Sequence, residues 1–246
     1  MLPGLYSAAT ALTAAEKNHE TIARNLAHVD VSGYRRQIAI FEPFAAHGAD
    51  TAAADNVPPG GVGTQVGSVR TDFTQGPLQA TGRNLDLAIT GDGYFVIEGP
   101  DGPLYTRNGT FHVDSEGRLV TADGRAVIGD GGSISFPAQT APAQITFGRD
   151  GSIRADGADV GSLRLVSFAD NQQLVPVGTT LFQAPPDLQP DPATGSVQQG
   201  AREASNVSAV DELVRMIVGM RHYEAAQQTL RALADALEQT TNTAAG

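Results

Sequence analysis

The two ends of this chain carry a seven-residue apolar rhythm that its middle lacks. Leu5, Leu12, His19 and Leu26 fall at steps of seven near the N-terminus, and Met216, Tyr223, Leu230 and Leu237 do the same near the C-terminus. An ideal helix turns once per roughly 3.6 residues, so a strict step of seven keeps a straight seam only where helices wind around one another. The ends of such a chain are therefore expected to be helices, each laying its seam on another helix.

Local composition agrees. Pro3 suits a first helical turn, and the stretch to about Ala27 is rich in Ala, Leu, Glu and Lys, which favour helix. Asp30-Val31-Ser32-Gly33 supplies turn formers, and a strand-like run follows at Arg36–Phe41. Periodicity then fades among Pro43, Pro58, Pro59, Gly60, Gly61 and Gly63, the composition of a linker or extended arm. From Leu85 the pattern reads as β. Leu85–Ile89 alternates, Tyr94–Ile97 is a short apolar strand, and Thr110–Val113, Arg118–Thr121 and Ala126–Ile128 are separated by tight-turn residues. Around Ser205-Asn206 the pattern returns to helix, with Ser208 and Asp211 spaced as a capping box. The expected fold class is α+β: N- and C-terminal helices forming a coiled-coil-like helical domain, with a central all-β domain of short antiparallel strands. The expected boundaries are 1–42 together with 204–246 for the helical domain, 43–83 for the arm and 84–203 for the β domain.

A formal charge of -11 argues against nucleic acid as a partner. No apolar run approaches the roughly 20 residues of a membrane span, so no membrane insertion is expected. The first basic side chain is Lys17, so an export route without a cleaved signal peptide is expected if the chain leaves the cytoplasm. The chain has no cysteine and hence no thiolate metal site or disulfide.

The inventory of chemistry is close to empty. Asp92, Asp101, Asp123, Asp130, Asp150 and Asp156 each precede a glycine, but their spacing fits neither an EF-hand loop nor a calcium roll, and Asp-Gly is the favoured hairpin dipeptide. The five histidines are scattered, and His19 occupies a seam position, where a polar group more often sets register. Gly91-Asp92-Gly93 lacks the third glycine and the following helix of a dinucleotide loop. The expectation is no catalytic residue, no metal site and no cofactor. The competing reading is a secreted β-rich carbohydrate-active enzyme or a calcium-dependent binding module.

The energetics of the ends favour assembly. Burying Met216, Tyr223, Leu230 and Leu237 gains on the order of 6–12 kcal/mol. The C-terminal helix would run roughly 35 residues, long for a globular domain, and ordering it costs tens of kcal/mol in backbone entropy, only partly offset by its hydrogen bonds. A solitary pair of such helices is marginal, whereas stacked copies bury further faces.

Three ordered segments carry a family resemblance. Asn25-Leu26-Ala27-His28-Val29-Asp30-Val31-Ser32-Gly33-Tyr34-Arg35-Arg36 resembles the segment that ends the first helix of bacterial flagellar rod and hook proteins, with His28 in place of the usual Asn and Val31 in place of Thr. Ser205-Asn206-Val207, continuing through Val210, Glu212, Val214, Met216-Ile217, Arg221 and Tyr223-Glu224-Ala225, is similar to that family's C-terminal signature. Asn84–Ile89 running into Gly91–Phe95, then Tyr105–Gly109 and Gly117–Val120, resembles the opening of its β domain.

The resemblance implies a non-enzymatic rod subunit of the flagellar basal body, proximal slightly preferred over distal on the run Ala126–Gly132. Exported unprocessed by the flagellar type III apparatus into the periplasm, it would polymerise helically, transmit torque and enclose the export channel. Its implied partners are other copies of itself, other flagellar rod and hook proteins and that export apparatus. Leu5, Leu12, Ile22 and Leu26 with Met216, Tyr223, Leu230 and Leu237 are expected as helix-packing positions, and Gly33 and Asn206 as the turn and cap that set the ends. Asn25, Tyr34, Val207, Val214 and Ile217 complete the expected assembly interface.

Overall fold

The computed structural model describes residues 2–44, 63–137 and 140–244. The chain divides into two compact units. One takes Met1–Ala27, Gln37–Asp72 and Ser208–Gly246, and the other takes His28–Arg36 and Phe73–Val207.

The first unit is built on α1 (Leu2–Ala27) and α2 (Ala209–Ala244). They pair antiparallel: a Cβ on Gly4 would lie 3.9 Å from Leu233 Cδ1, and one on Gly219 would lie 4.0 Å from Ile22 Cδ1. The same unit holds a two-stranded antiparallel ribbon, β1 (Gln37–Phe44) and β2 (Gly63–Thr71), with a bulge between Ile40 and Phe41.

The expected fold class is corrected here. The protein is mostly β, and the helices do not make a coiled-coil domain by themselves, because α1 also packs against the ribbon. The physical cause is a second face of small residues. Ala9, Thr10, Thr13 and Ala14 line a groove with Thr64–Val69 of β2, and their short side chains admit the ribbon's backbone. On the α2 side the seam opens into a cleft of about 410 Å³ lined by Glu16, His19, Met220, Tyr223, Glu224 and Gln227. Polar side chains at that level replace the continuous knobs of a coiled coil. Within the expected arm 43–83 the chain forms β2 and the strand Leu78–Ala80, while 45–62, with Pro58, Pro59, Gly60 and Gly61, lie outside the described residues.

The second unit is all-β. Its largest sheet runs, by neighbour, Gly132–Ser133, Val127–Gly129, Tyr94–Gly99, Gly102–Thr106, Leu181–Gln183 and Val175–Val177, all antiparallel; Leu165–Ser167 also pairs with Tyr94–Gly99. The strand Tyr94–Gly99 explains its own apolar run. Phe95 and Ile97 point into the main core with Leu87, Ile89, Phe111 and Leu119, and Tyr94 and Val96 point into a second cluster with Tyr105, Val166, Phe168 and Phe182. A strand covered on both faces reads as continuously apolar rather than alternating.

Five of the six Asp-Gly pairs have their aspartate in a turn, and Asp92-Gly93 lies at a bend before a strand. Asp156 (φ 53) and Gly157 (φ 79) form the two-residue loop between Ser152–Ala155 and Ala158–Ser162, the type I′ conformation that this dipeptide favours. Asp114 caps another hairpin, accepting from the backbone N–H groups of Glu116 and Arg118, each at 2.9 Å.

Burial shows in the tyrosines. Tyr94 is 2% exposed, and desolvation pushes its phenol up to about 12 against the pull of the Arg107 guanidinium. The folded pKa lies above the unfolded value, so this contribution to stability is complete below pH about 10 and is lost as pH rises toward 12. Absorbance titration of the phenols is expected to show Tyr94 ionising about two pH units after an exposed tyrosine, together with unfolding. Ionisation of every tyrosine near pH 10 in a folded protein would contradict the buried position.

Candidate functional site

Two features stand out as sites of interaction rather than of chemistry. The first is the pair of opposite faces on α2. Glu212, Met216, Gly219, Tyr223, Ala226, Leu230 and Leu233 repeat at alternating steps of four and three and are buried or half-buried. Thus Met216, Tyr223 and Leu230 of the seven-step seam fall on the face that meets α1, where Leu12 and Leu26 are half-buried and Ile22 is 6% exposed. The side chains of Leu5 and Leu237 lie outside the described residues.

The opposite face of α2 is apolar too and carries Val210 (70% exposed), Leu213, Val214 (55%), Ile217 (55%) and Val218. Steps of three and four gather these residues on one arc of the helix. Val214 and Ile217 therefore stand apart from the seam residues. The apolar arc ends after about three turns, and Arg221, Glu224, Gln228 and Arg231 follow along that side.

The second feature is the crossing of two backbone segments in the β unit, 28–36 and 200–207. Gly33 has φ +72 and donates its N–H to Glu203 O at 2.9 Å. A Cβ there would meet Asn108 N at 2.4 Å, so both conformation and close approach require glycine. Tyr34 is 2% exposed and stacks on His28 with ring centroids 4.9 Å apart, which gives the His28 departure from the family pattern a structural role. Asn206, expected as a cap, ties segments together instead. Its Oδ1 accepts from Arg36 N–H at 2.7 Å, its Nδ2 donates to Thr74 O at 3.1 Å, and its own N–H reaches Tyr34 O at 3.4 Å. The α2 cap is Ser208, whose Oγ accepts from Asp211 N–H at 3.4 Å. Val207 is 7% exposed beside this crossing in sequence. In the helical unit, Asn25 makes a two-way pair with the Gln37 backbone, both bonds 2.8 Å, and so starts β1.

At the centre of the crossing is a buried ion cluster that sequence reasoning missed. Glu203 is fully buried and pairs with Arg35 at 2.6 Å and Arg107 at 3.4 Å; the Gly76 N–H donates to the same carboxylate at 2.9 Å. Arg107 also lies over the Tyr94 ring, 5.2 Å from its centroid. Burial lowers the Arg107 guanidinium below its ordinary value, and Glu203 pulls it back. Arg35 and Arg107 do lie inside segments of the family resemblance, which was the one available signal.

Gly33→Ala is expected to destabilise the β unit by about 1–3 kcal/mol, since alanine must adopt positive φ and displace backbone. A urea melt followed by tyrosine fluorescence measures it, and an unchanged midpoint would contradict the crossing geometry.

Among the described residues no group of three or more His, Asp or Glu is placed to hold a metal, and no helix is long and apolar enough to cross a membrane. The paired terminal helices, the bare apolar helix face and the β unit between them in sequence define a structural, assembly-forming class of protein.

Comparison with known proteins places it within that class. The description "Flagellar hook protein FlgE/F/G D1 domain" matches residues 88–155, and "Flagellar basal body rod FlgEFG protein C-terminal" matches residues 198–243. The chain is 37% identical to the flagellar basal-body rod protein FlgG of Agrobacterium fabrum, over 88% of this chain and 90% of that one. It is 33% identical to FlgG of Bacillus subtilis over 98% and 99%, and 34% identical to the rod protein FlgF of Caulobacter vibrioides over 83% and 82%. The chain belongs to the flagellar basal-body rod protein family. It is a structural subunit of the bacterial flagellar basal body and not an enzyme. Relatives named FlgG and FlgF both match, so the similarity does not divide proximal from distal position.

Proposed function

We propose that this subunit polymerises helically through its terminal helices, buries the outer face of α2 against neighbouring copies, and forms a tube that transmits torque and encloses an export channel. The observation that carries this reading is the two-faced apolar character of α2 over its first three turns: α1 meets one face, and Val210, Leu213, Val214, Ile217 and Val218 stand exposed on the other. An exposed apolar stripe of this kind is costly to leave in water and fits a protein interface. Leu5, Leu12, Ile22, Leu26, Met216, Tyr223, Leu230 and Leu237 are the proposed seam within the helical layer. Asn25, Gly33, Tyr34, Asn206 and Val207 hold the chain at its crossings. The chain reaches the periplasm through the flagellar type III apparatus with its N-terminus uncleaved.

Expression in a strain lacking its own rod protein tests this. Swimming should be restored, and purified hook–basal bodies should contain the chain with its first tryptic peptide intact. Absence of the chain from basal bodies, or a trimmed first peptide, would count against assembly or against uncleaved export respectively.

A further inference from the structure

We propose that the Arg35–Glu203–Arg107 cluster is a non-covalent staple that makes pairing of the terminal helices an event within one subunit. The inference deepens the assembly reading and rests on it for its purpose. About 180 residues separate the end of α1 at Ala27 from the start of α2 at Ala209. Followed through the Arg35–Glu203 pair instead, the connection shrinks to about 14 residues. Loop-closure entropy grows as three-halves of the logarithm of loop length, so this shortening raises the local concentration of one helix near the other on the order of tens-fold.

The cluster is suited to that task by its chemistry. Glu203 has no solvent to fall back on, and its partners are two guanidinium groups at 1% and 6% side-chain exposure. A carboxylate buried this way accepts no slipped register, because any slip leaves charges unpaired. Backbone bonds then lock the same register: Gly33 N–H to Glu203 O, Asn206 N–H to Tyr34 O, and Ala204 N–H to Pro77 O at 3.0 Å. The segments held are those leaving α1 and approaching α2 along the chain.

The chain lacks cysteine, so an engineered pair reports helix proximity without interference. Ile22→Cys with Gly219→Cys is placed across the helix seam, and its disulfide equilibrium against glutathione in dilute monomer gives an effective concentration. Arg35→Met, added to that pair, removes the arm on the α1 side while Glu203 keeps Arg107 and the Gly76 N–H. With the guanidinium gone, segment 28–36 is expected to leave the crossing, Tyr34 to become exposed and the effective concentration to fall at least tenfold, while the rest of the β unit keeps a cooperative melt. Arg35→Lys, which keeps the charge but loses the guanidinium fork, should fall by less and supplies a milder comparison. A fall of less than tenfold in Arg35→Met would overturn the staple. The readout is taken on monomer, so its failure is separate from failure of assembly, which is read in swimming cells.

Discussion

Glu203→Ala is expected to lower the stability of the β unit by about 3–5 kcal/mol, the loss that follows when one partner of a buried ionic group is removed. Two buried guanidinium groups would remain without their carboxylate, and Arg35 already has Nε and Nη1 without a hydrogen-bond partner. Arg107 Nε is in the same state. The carboxylate pairs with both buried cations, and the Gly76 N–H would lose its acceptor as well. The Tm measured by tyrosine fluorescence should drop by about 10 °C. The exposed Lys17–Glu20–Arg24 ladder on α1 gives the contrast, with side chains between 48% and 63% exposed. Glu20→Ala there should leave the melt unchanged. Equal effects at Glu203 and Glu20 would show that the cluster is hydrated and not the centre of the crossing.

Ile217→Asp is expected to abolish swimming while leaving the isolated subunit as stable as its parent. Ile217 is 55% exposed in the single chain, so the monomer loses no core contact, and surface changes of this kind usually stay within about 0.5 kcal/mol. In a polymer the same position is proposed to be covered, where an unpaired carboxylate costs several kcal/mol. That cost recurs at every subunit contact, so the polymer fails as a whole. Gln228→Asp, further along the same side where the face has become polar, should swim normally. Leu230→Asp should fail differently, by loosening the seam with α1 in the monomer. Normal swimming by Ile217→Asp would remove the outer face of α2 from the interface.

The two terminal helices were legible as helices because an amphipathic helix leaves a period, but not the ribbon that shares α1 with them. Met216, Tyr223 and Leu230 are spaced as a helix needs and are half-buried along α2. The ribbon was not legible. β2 reads GTQVGSVRT, with Val66 and Val69 as its apolar residues, because a two-stranded ribbon against small helix side chains has little core to fill. It therefore resembled linker. The β unit was readable where both strand faces are covered, as at Tyr94–Ile97, and where Asp-Gly marks a turn. The Glu203 cluster escaped because its members come from three distant segments, and charged residues in sequence look like surface. Burial of a charge is a property of tertiary structure, and no spacing announces it. The second face of α2 lay in plain view as Val210, Val214 and Ile217. Their role became distinct from that of the seam residues only when α1 was seen to take the opposite side.

Cross-linking at the outer face tests the central claim most directly. With no native cysteine in the chain, Val214→Cys and Leu213→Cys can be introduced singly in swimming cells and treated with a short thiol cross-linker before hook–basal bodies are purified. Cysteine at Gly131, which has open space around it, serves as the comparison. The account predicts a ladder of dimers and higher multimers from positions 213 and 214 that is absent in dilute monomer and far weaker from position 131. Monomer alone from positions 213 and 214 in intact basal bodies would contradict it.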